Sequence, residues 1–286
     1  MSSHDVIDDV IVDYNPVDTK SEPDFSNARI TGVILSPEDE SNMRIKVGQV
    51  VEAGNNLSGY TRRELAVLCD IKSAQFSKIV KGEAWLNIGN LGLWSFATGI
   101  TPTDVVKYTP LTASPSQCIT WFINGRLHHF DHDEFELFTK LICRRLGVKH
   151  VRVNVSGDEP IPKLHDKNWQ TMYLDDLSRV VGLRVIQLRK QLKLSQKGFG
   201  DILGVTPETI KRYESGKVRV NRGVFSTYRL FATTNVSPIE ITKGSIHHKL
   251  RYVQEQRHEA LHEITKQLDY NLYRQLKDIT LSASKL

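Results

Sequence analysis

The chain has 286 residues, of which 40% are hydrophobic, and its formal net charge is +5. Its length is typical of about two domains. No apolar run reaches the roughly 18 residues that a membrane-spanning helix needs, and the acidic start differs from a secretory signal. We therefore expect a cytoplasmic protein with no membrane partner. The cysteines at positions 69, 118 and 143 are far apart, which argues against a disulfide framework or a Cys-x-x-Cys metal site.

The first predicted segment is an acidic tail over residues 1–28. It contains seven acidic residues and one lysine, a composition that favours disorder. The remainder of the chain is therefore basic. A basic body favours polyanionic partners such as nucleic acid, because neutralised phosphates release their counterions.

Residues 44–106 contain one half of an internal repeat. The stretch "YTRRELAVLCDIKSAQFSKIVKGE" aligns with "LSQKGFGDILGVTPETIKRYESGK" at an offset of 134 residues. Apolar and turn positions coincide, as in Phe76 with Ile210 and Gly82 with Gly216. Each stretch therefore predicts the same pair of short helices joined by a turn.

Polar and basic residues on and around the second helix of the first stretch are candidate DNA contacts. They are Arg62, Ser73, Gln75, Lys78 and Lys81. Ala74 lies on the same face and can read little beyond a thymine methyl group. Two interpretations stay open for this stretch, namely contact with DNA or a purely structural or pairing role.

Residues 117–156 are predicted to form a small ββαβ module. Asn124-Gly125 lies between two apolar runs and is the favoured pair for a type I′ hairpin turn. A helix then ends at Gly147, and "VKHVRVNV" alternates as a third strand. This module resembles no family known to us and is the candidate surface for a protein partner.

Histidines in the middle and at the end of the chain raise the question of a metal site. The hairpin register places His128 opposite Trp121 and His129 on the other face, so cross-strand stacking is favoured over chelation. His258 and His262 have the i, i+4 spacing of a helix, but further ligands are missing from the sequence around them. We predict no metal, no cofactor and no catalytic residues.

The clearest local signals lie in residues 182–241. Ser195 is a natural N-cap, Gly204 ends a helix, and Thr206 is a second N-cap followed by Pro207 in the first turn. These residues predict two short helices around a tight turn. The second helix has a polar outer face, which is what entry into the major groove of DNA requires.

This stretch resembles the lambda-repressor/Cro-like (XRE) helix-turn-helix family. The resemblance is carried by Leu194, Ser195, Gln196, Gly204, Val205, Thr209, Ile210, Glu214 and Gly216. It implies a five-helix DNA-binding fold in which Arg189 pairs with Glu214. By the 134-residue offset the resemblance extends to residues 44–106, where Asn55 and Val80 occupy the positions of that pair.

The resemblance and the outward face of the second helix together define the candidate DNA contacts of this domain. Some would face bases and others phosphates or sugars. They are Gln196, Thr206, Glu208, Thr209, Lys211, Arg212, Lys217 and Arg219.

Residues 249–280 form a helical tail with apolar residues spaced mainly by three and four. Such a stripe must be covered, either by the body of the chain or by a second copy of it.

Together these patterns predict a mainly α fold. It comprises two five-helix lambda-repressor-like helix-turn-helix domains, a small α+β (ββαβ) module between them and a helical C-terminal tail. The predicted function is a sequence-specific double-stranded DNA-binding transcription regulator of bacterial, phage or plasmid type, acting as a homodimer and associated with the nucleoid when bound. The alternative is an antitoxin-like or partner-docking regulator whose DNA binding is autoregulatory. No enzymatic activity is expected.

Overall fold

Helices dominate the fold. The computed structural model describes residues 10–11, 22–153, 161–216 and 224–284. These residues form fourteen α-helices, one short 3-10 helix and two strands of two residues each. The predicted mainly α class is therefore confirmed.

The first five helices share one core. Thr61 and Glu64 form a capping box that begins the second of them, and Gly99 ends the fourth in the left-handed conformation. Leu65 and Phe76 are fully buried in what we call the amino-terminal core. The helices of this amino-terminal unit are α1 (Pro37–Ser58), α2 (Arg62–Leu68), α3 (Ser73–Val80), α4 (Ile88–Thr98) and α5 (Pro102–Lys107).

The middle of the chain is helical where a hairpin is predicted. It consists of α6 (Pro115–Arg126) and α7 (His132–Leu146). A capping box formed by Ser114 and Gln117 begins α6, with Pro115 in its first turn. The predicted ββαβ arrangement is therefore wrong, because the segment assigned to the hairpin forms a capped helix.

The Asn124-Gly125 pair lies inside α6 and has a packing role. A Cβ atom on Gly125 would lie 2.5 Å from the carbonyl carbon of Thr98, so the glycine allows α6 to cross the end of α4 closely. The side-chain amide of Asn124 donates a hydrogen bond to the carbonyl of Gln254 over 3.1 Å. Tertiary contacts thus account for a dipeptide that would otherwise indicate a turn.

The two strands join distant parts of the chain. Strand β1 (Val10–Ile11) pairs in parallel with β2 (Val151–Arg152), and Val10 is the partner of Val151. Within the predicted third strand, Val153 is not part of the strand, and residues 154–155 lie outside the described residues.

Five further helices form a carboxy-terminal unit. They are α8 (Lys167–Gln191), α9 (Gln196–Leu203), α10 (Pro207–Glu214), α11 (Val224–Thr234) and α12 (Pro238–Thr242). In both units a helix of more than twenty residues precedes two of seven or eight, one of eleven and one of five or six.

A glycine in the long helix of each unit allows a close backbone contact. A Cβ atom on Gly182 would lie 2.5 Å from the carbonyl oxygen of Tyr213, and one on Gly48 would lie 2.7 Å from that of Val80. The two glycines are 134 residues apart, which is the offset of the sequence repeat. Each long helix therefore crosses the end of α3 or α10 at a distance that excludes a side chain.

Helix α8 contributes to two cores. Its first turns place Trp169 and Tyr173 in the amino-terminal core. Its later turns place Val185 and Leu188 in a second core, the carboxy-terminal core, which is formed with α9–α12. With 25 residues, the helix extends over about 37 Å at the usual rise per residue. A continuous helix thus joins the two five-helix units.

The last two helices pack on the chain itself. They are α13 (Ile246–Thr265) and α14 (Tyr270–Ala283). Leu261, Ile264 and Leu276 are buried together with apolar residues of α6 and α7. The apolar stripe of residues 249–280 is therefore covered by the body of the same chain.

Residues 22–28 pack on the carboxy-terminal unit. Phe25 is buried in the carboxy-terminal core. The backbone N–H groups of Arg29 and Thr31 donate to the carbonyls of Thr234 and Thr233, each over 3.0 Å. The predicted disorder is therefore wrong for residues 22–28, because acidic composition takes no account of one well-placed aromatic side chain. Residues 1–9 and 12–21 of that tail lie outside the described residues.

No helix in the part of the chain that the structure describes combines the length and the apolar character that crossing a bilayer demands.

The close contact at Gly182 yields a stability prediction. Alanine gains about 1 kcal/mol in helix propensity over glycine, but its methyl group would meet a backbone oxygen that cannot move away. We expect Gly182→Ala to destabilise the protein by about 1–3 kcal/mol, as overpacking does, in urea unfolding followed by circular dichroism. Gly198→Ala is the matched control, because the nearest atom to a Cβ there is 3.5 Å away. A Gly182→Ala variant as stable as the control would contradict the contact.

Candidate nucleic-acid interface

Local capping defines where α9 begins and ends and where α10 begins. The hydroxyl of Ser195 accepts from the N–H of Gly198 over 3.1 Å and begins α9. Gly204 ends it in the left-handed conformation, with φ of 66°. Thr206 then caps α10 by accepting from the N–H of Thr209 over 3.2 Å. The caps predicted from the sequence are confirmed at these positions.

The turn between these helices is also packed against a cation that the sequence patterns did not reveal. A Cβ atom on Gly204 would collide with the guanidinium of Arg229, and this guanidinium donates a hydrogen bond to the carbonyl of Leu35 over 3.3 Å. Gly204 is therefore favoured mainly by its left-handed backbone conformation, and a larger side chain would also displace the guanidinium of Arg229. The hydrogen bond between Arg229 and Leu35 joins residues 194 positions apart, so no local signal predicts it.

Helix α10 buries one face and exposes the other. Ile210 and Tyr213 lie in the carboxy-terminal core. The candidate residues on the opposite side, Thr206, Glu208, Lys211 and Arg212, are exposed, and Thr209 is half-buried. Within the described ranges, Lys211 and Arg212 form no ion pair, so both cations are available to a polyanion.

A partly buried ion pair links the end of α10 to the end of α8. The guanidinium of Arg189 donates to both carboxylate oxygens of Glu214, over 2.5 and 3.1 Å, and to the carbonyl of Leu194 over 3.0 Å. The side-chain amide of Gln196 donates to the same carboxylate over 2.7 Å. These bonds connect three segments, so they fix how α10 projects from the unit. The Arg189–Glu214 pairing implied by the resemblance is present.

This network determines the ionisation of Glu214. Burial raises the pKa of Glu214, but the hydrogen bonds from Arg189 and Gln196 outweigh it, and the pKa lies below its usual value. The carboxylate is therefore charged at neutral pH. Because the folded-state pKa is lowered, this contribution to stability is present at neutral pH and is lost as the pH falls through that pKa.

Gln196 has a structural partner in addition to its candidate role at phosphate. Its amide nitrogen is bonded to Glu214, which makes it a positioning residue for α10 in the free protein. Contact between Gln196 and DNA stays a prediction. The predictions for Lys217 and Arg219 concern positions outside the described residues.

The amino-terminal unit exposes a comparable polar and cationic surface. Ser73, Gln75, Lys78 and Lys81 are exposed on or just after α3. Arg62 is also exposed and forms an ion pair with Glu52. In place of the turn glycine, this unit has Asp70 with φ of 53°, a conformation that aspartate tolerates better than most residues. The candidate residues of this stretch therefore face solvent together.

The histidines considered as possible metal ligands pack within the helical middle of the chain. Since α6 replaces the hairpin, His128 does not face Trp121 across two strands. Burial lowers the pKa of His128 to about 4, and its Nδ1 lies 2.8 Å from the carbonyl oxygen of Gly125. Trp121 stacks on His258 with ring centroids 6.4 Å apart. Among the described residues, no three His, Cys, Asp or Glu side chains are grouped closely enough to hold a metal ion.

Comparison with known families identifies the segment that carries α9 and α10. A helix-turn-helix family model matches residues 185–226. No curated protein matches the chain, and neither does any solved structure. The matched segment is therefore similar to helix-turn-helix domains of the XRE type.

The ion pair yields a double-mutant prediction. Arg189→Met leaves a partly buried carboxylate without its cation and should cost about 1–3 kcal/mol, less than breaking a fully buried pair. Glu214→Val should also destabilise the protein. The double variant resembles the amino-terminal unit, where Asn55 and Val80 occupy these positions, and should lose less than the sum of both changes by about 1–3 kcal/mol. Additive losses in urea unfolding would show that the pair contributes no mutual stabilisation.

Proposed function

We propose that this protein is a sequence-specific double-stranded DNA-binding transcription regulator of bacterial, phage or plasmid type, without enzymatic activity, that acts in the cytoplasm. One observation carries the proposal. The exposed polar face of α10 lies within the segment matched by the helix-turn-helix family, and the Arg189–Glu214 pair and Gln196 hold that helix in a fixed orientation. A pre-oriented polar helix with unpaired cations is what reading the major groove requires.

In this proposal the side chains divide by what they contact. Thr206, Glu208, Thr209 and Arg212 face base edges or the adjoining sugars, because they occupy the start and the outer face of α10. Phosphates are contacted by Gln196, Lys211, Lys217 and Arg219. Phosphate contacts position the protein and base contacts provide specificity.

We further propose that residues 44–106 are a divergent second copy of the same domain. The repeated helix order, the 134-residue offset of Gly48 and Gly182, and the exposed candidate residues on α3 support this proposal. The second copy contacts DNA through Arg62, Ser73, Gln75, Lys78 and Lys81. Both units then engage one operator, the carboxy-terminal unit at a strict half-site and the amino-terminal unit at a looser one.

Selection of bound duplexes from a random pool tests the function as a whole. An enriched motif is expected, and its layout reports how many units read DNA. Two unlike half-sites at one spacing indicate the two units of a single chain, whereas a two-fold symmetric motif indicates a homodimer. A pool without any enriched sequence would contradict the proposed specificity.

A second candidate function is a regulator that docks a protein partner, with DNA binding limited to autoregulation. It is favoured by α7, where Leu137 and Leu141 are one helical turn apart and both exposed. Exposed apolar side chains in adjacent positions are typical of interaction surfaces. Footprinting across genomic fragments separates the two functions, because an autoregulator protects its own promoter and a general regulator protects several.

Arg212 provides the test of base reading. We expect Arg212→Ala to lose about 1–3 kcal/mol of affinity for the selected site and to relax the preference at one base pair. Lys140→Ala, which removes an exposed cation on α7 far along the chain from the interface, is the control and should leave affinity unchanged. Titration of the selected duplex and of a scrambled duplex measures both effects. Equal losses on the two duplexes would assign Arg212 to phosphate contact.

The amino-terminal unit is tested separately by its cations. Joint replacement of Arg62 and Lys78 with alanine should shorten the protected footprint on one side, because this unit would lose its hold on the phosphates. The salt dependence of binding should also weaken, since each phosphate contact contributes a slope of about −0.9. An unchanged footprint and slope would indicate a structural role for this unit.

A further inference from the structure

An apolar cavity of about 300 Å³ lies between the two five-helix units. Residues of α4 and α5 form one wall, and residues of α11 and α12 form the other. His247 and Arg251 of α13 complete the lining. This volume is at the lower end of the range for small-molecule sites. The cavity is distinct from the exposed face of α10, because none of its lining residues belongs to α9 or α10.

The walls of this cavity carry apolar side chains that are left in contact with water. Val106, Tyr228, Phe231 and Ile239 line it, and each is between 37% and 44% exposed. Exposed apolar side chains gathered at one concave place are typical of a ligand site. A molecule with an apolar body would remove this surface from water.

The charged side chains that line the cavity are cationic, and the other polar side chains are neutral. Lys107 and Arg251 line it, and none of the described residues that line it is acidic. His247 is also in the wall, but burial lowers its pKa to about 3, so it carries no charge at neutral pH. Glu255 pairs with Arg251 over 2.8 Å, so Lys107 supplies the excess positive charge at the cavity.

Two hydrogen bonds hold the guanidinium group of Arg251 in place. Its Nε donates to Glu255 over 2.8 Å, and its Nη2 donates to the hydroxyl of Thr103 over 2.7 Å. Its Nη1 has no hydrogen-bond partner among the described residues. An oriented guanidinium with free N–H groups beside an apolar cavity is suited to a carboxylate.

We propose that this cavity binds a small organic acid. The apolar body of the acid lies between Val106 on one unit and Phe231 and Ile239 on the other, and its carboxylate meets Arg251 and Lys107. This site goes beyond the proposed DNA-binding function, and its occupancy does not depend on that function.

Binding is measured directly on the full chain by titration calorimetry. The probes are octanoate and 3-phenylpropanoate, and octan-1-ol is the neutral counterpart. At least one acid should bind saturably with one site per chain, about tenfold more tightly than the alcohol, which corresponds to one charge-assisted contact. The melting temperature should rise with the concentration of that acid, because the ligand binds only the folded protein.

Variants locate the site. Val106→Trp fills the cavity from a wall position and should weaken binding of the acid at least tenfold. Val67→Trp, the same change at an exposed position on α2 outside the cavity, should leave binding unchanged. Arg251→Gln should weaken the acid about tenfold without affecting the alcohol, and Lys107→Gln, at an exposed position, repeats the charge test if Arg251→Gln fails to fold.

Three results would overturn the proposal. The first is the absence of saturable binding by both acids. The second is acid binding that Val106→Trp leaves at the affinity of the unchanged protein. The third is equal affinity for the acid and the alcohol. Because DNA is absent from the titrations, failure here would leave the proposed regulator untouched, and failure of DNA binding would leave this site untouched.

Discussion

The arrangement of the whole molecule depends on α8, a helix whose two ends are buried in different cores. Trp169 and Tyr173 anchor its start among α1–α5, and Val185 and Leu188 anchor its end among α9–α12. Between these anchors the backbone hydrogen bonds of a helix leave little freedom to bend. Flexible tethers allow two binding units many separations, whereas a helix anchored in a core at each end restricts them to a narrow range. If both units read DNA, the spacing of their half-sites is therefore a property of α8.

The two units have different side chains at the two positions that the 134-residue offset aligns. In the carboxy-terminal unit a charged pair, Arg189 and Glu214, links the long helix to α10. In the amino-terminal unit the equivalent positions are uncharged, and Asn55 accepts a hydrogen bond from the indole nitrogen of Trp94 over 3.3 Å. Losing both members of a buried pair is far less costly than losing one. Uncharged residues at both positions are therefore compatible with a stable fold.

Helix caps can be predicted from the sequence, whereas contacts between distant segments cannot. Ser195, Gly204 and Thr206 act within a few residues of themselves, so their capping roles follow from residue type and position. The hairpin turn predicted at Asn124-Gly125 is wrong, because Gly125 instead allows α6 to cross the end of α4. The capping box formed by Ser114 and Gln117 is a local signal for that helix. The helical spacing of α10 predicts which of its side chains are exposed. The Gln196–Glu214 hydrogen bond joins two different helices, so no local pattern predicts it.

The backbone bonds between residues 29–31 and the end of α11 also set an order of events during synthesis. The hydroxyl of Thr31 donates to the carbonyl of Ala232, which is 201 residues later in the chain. At the usual rate of translation, that partner leaves the ribosome about 10–40 s after Thr31 does. Throughout this interval Phe25 has no carboxy-terminal core to enter. The segment that precedes the first helix is thus synthesised early and packed late, so a newly made chain exposes it for longer than the helices that follow it.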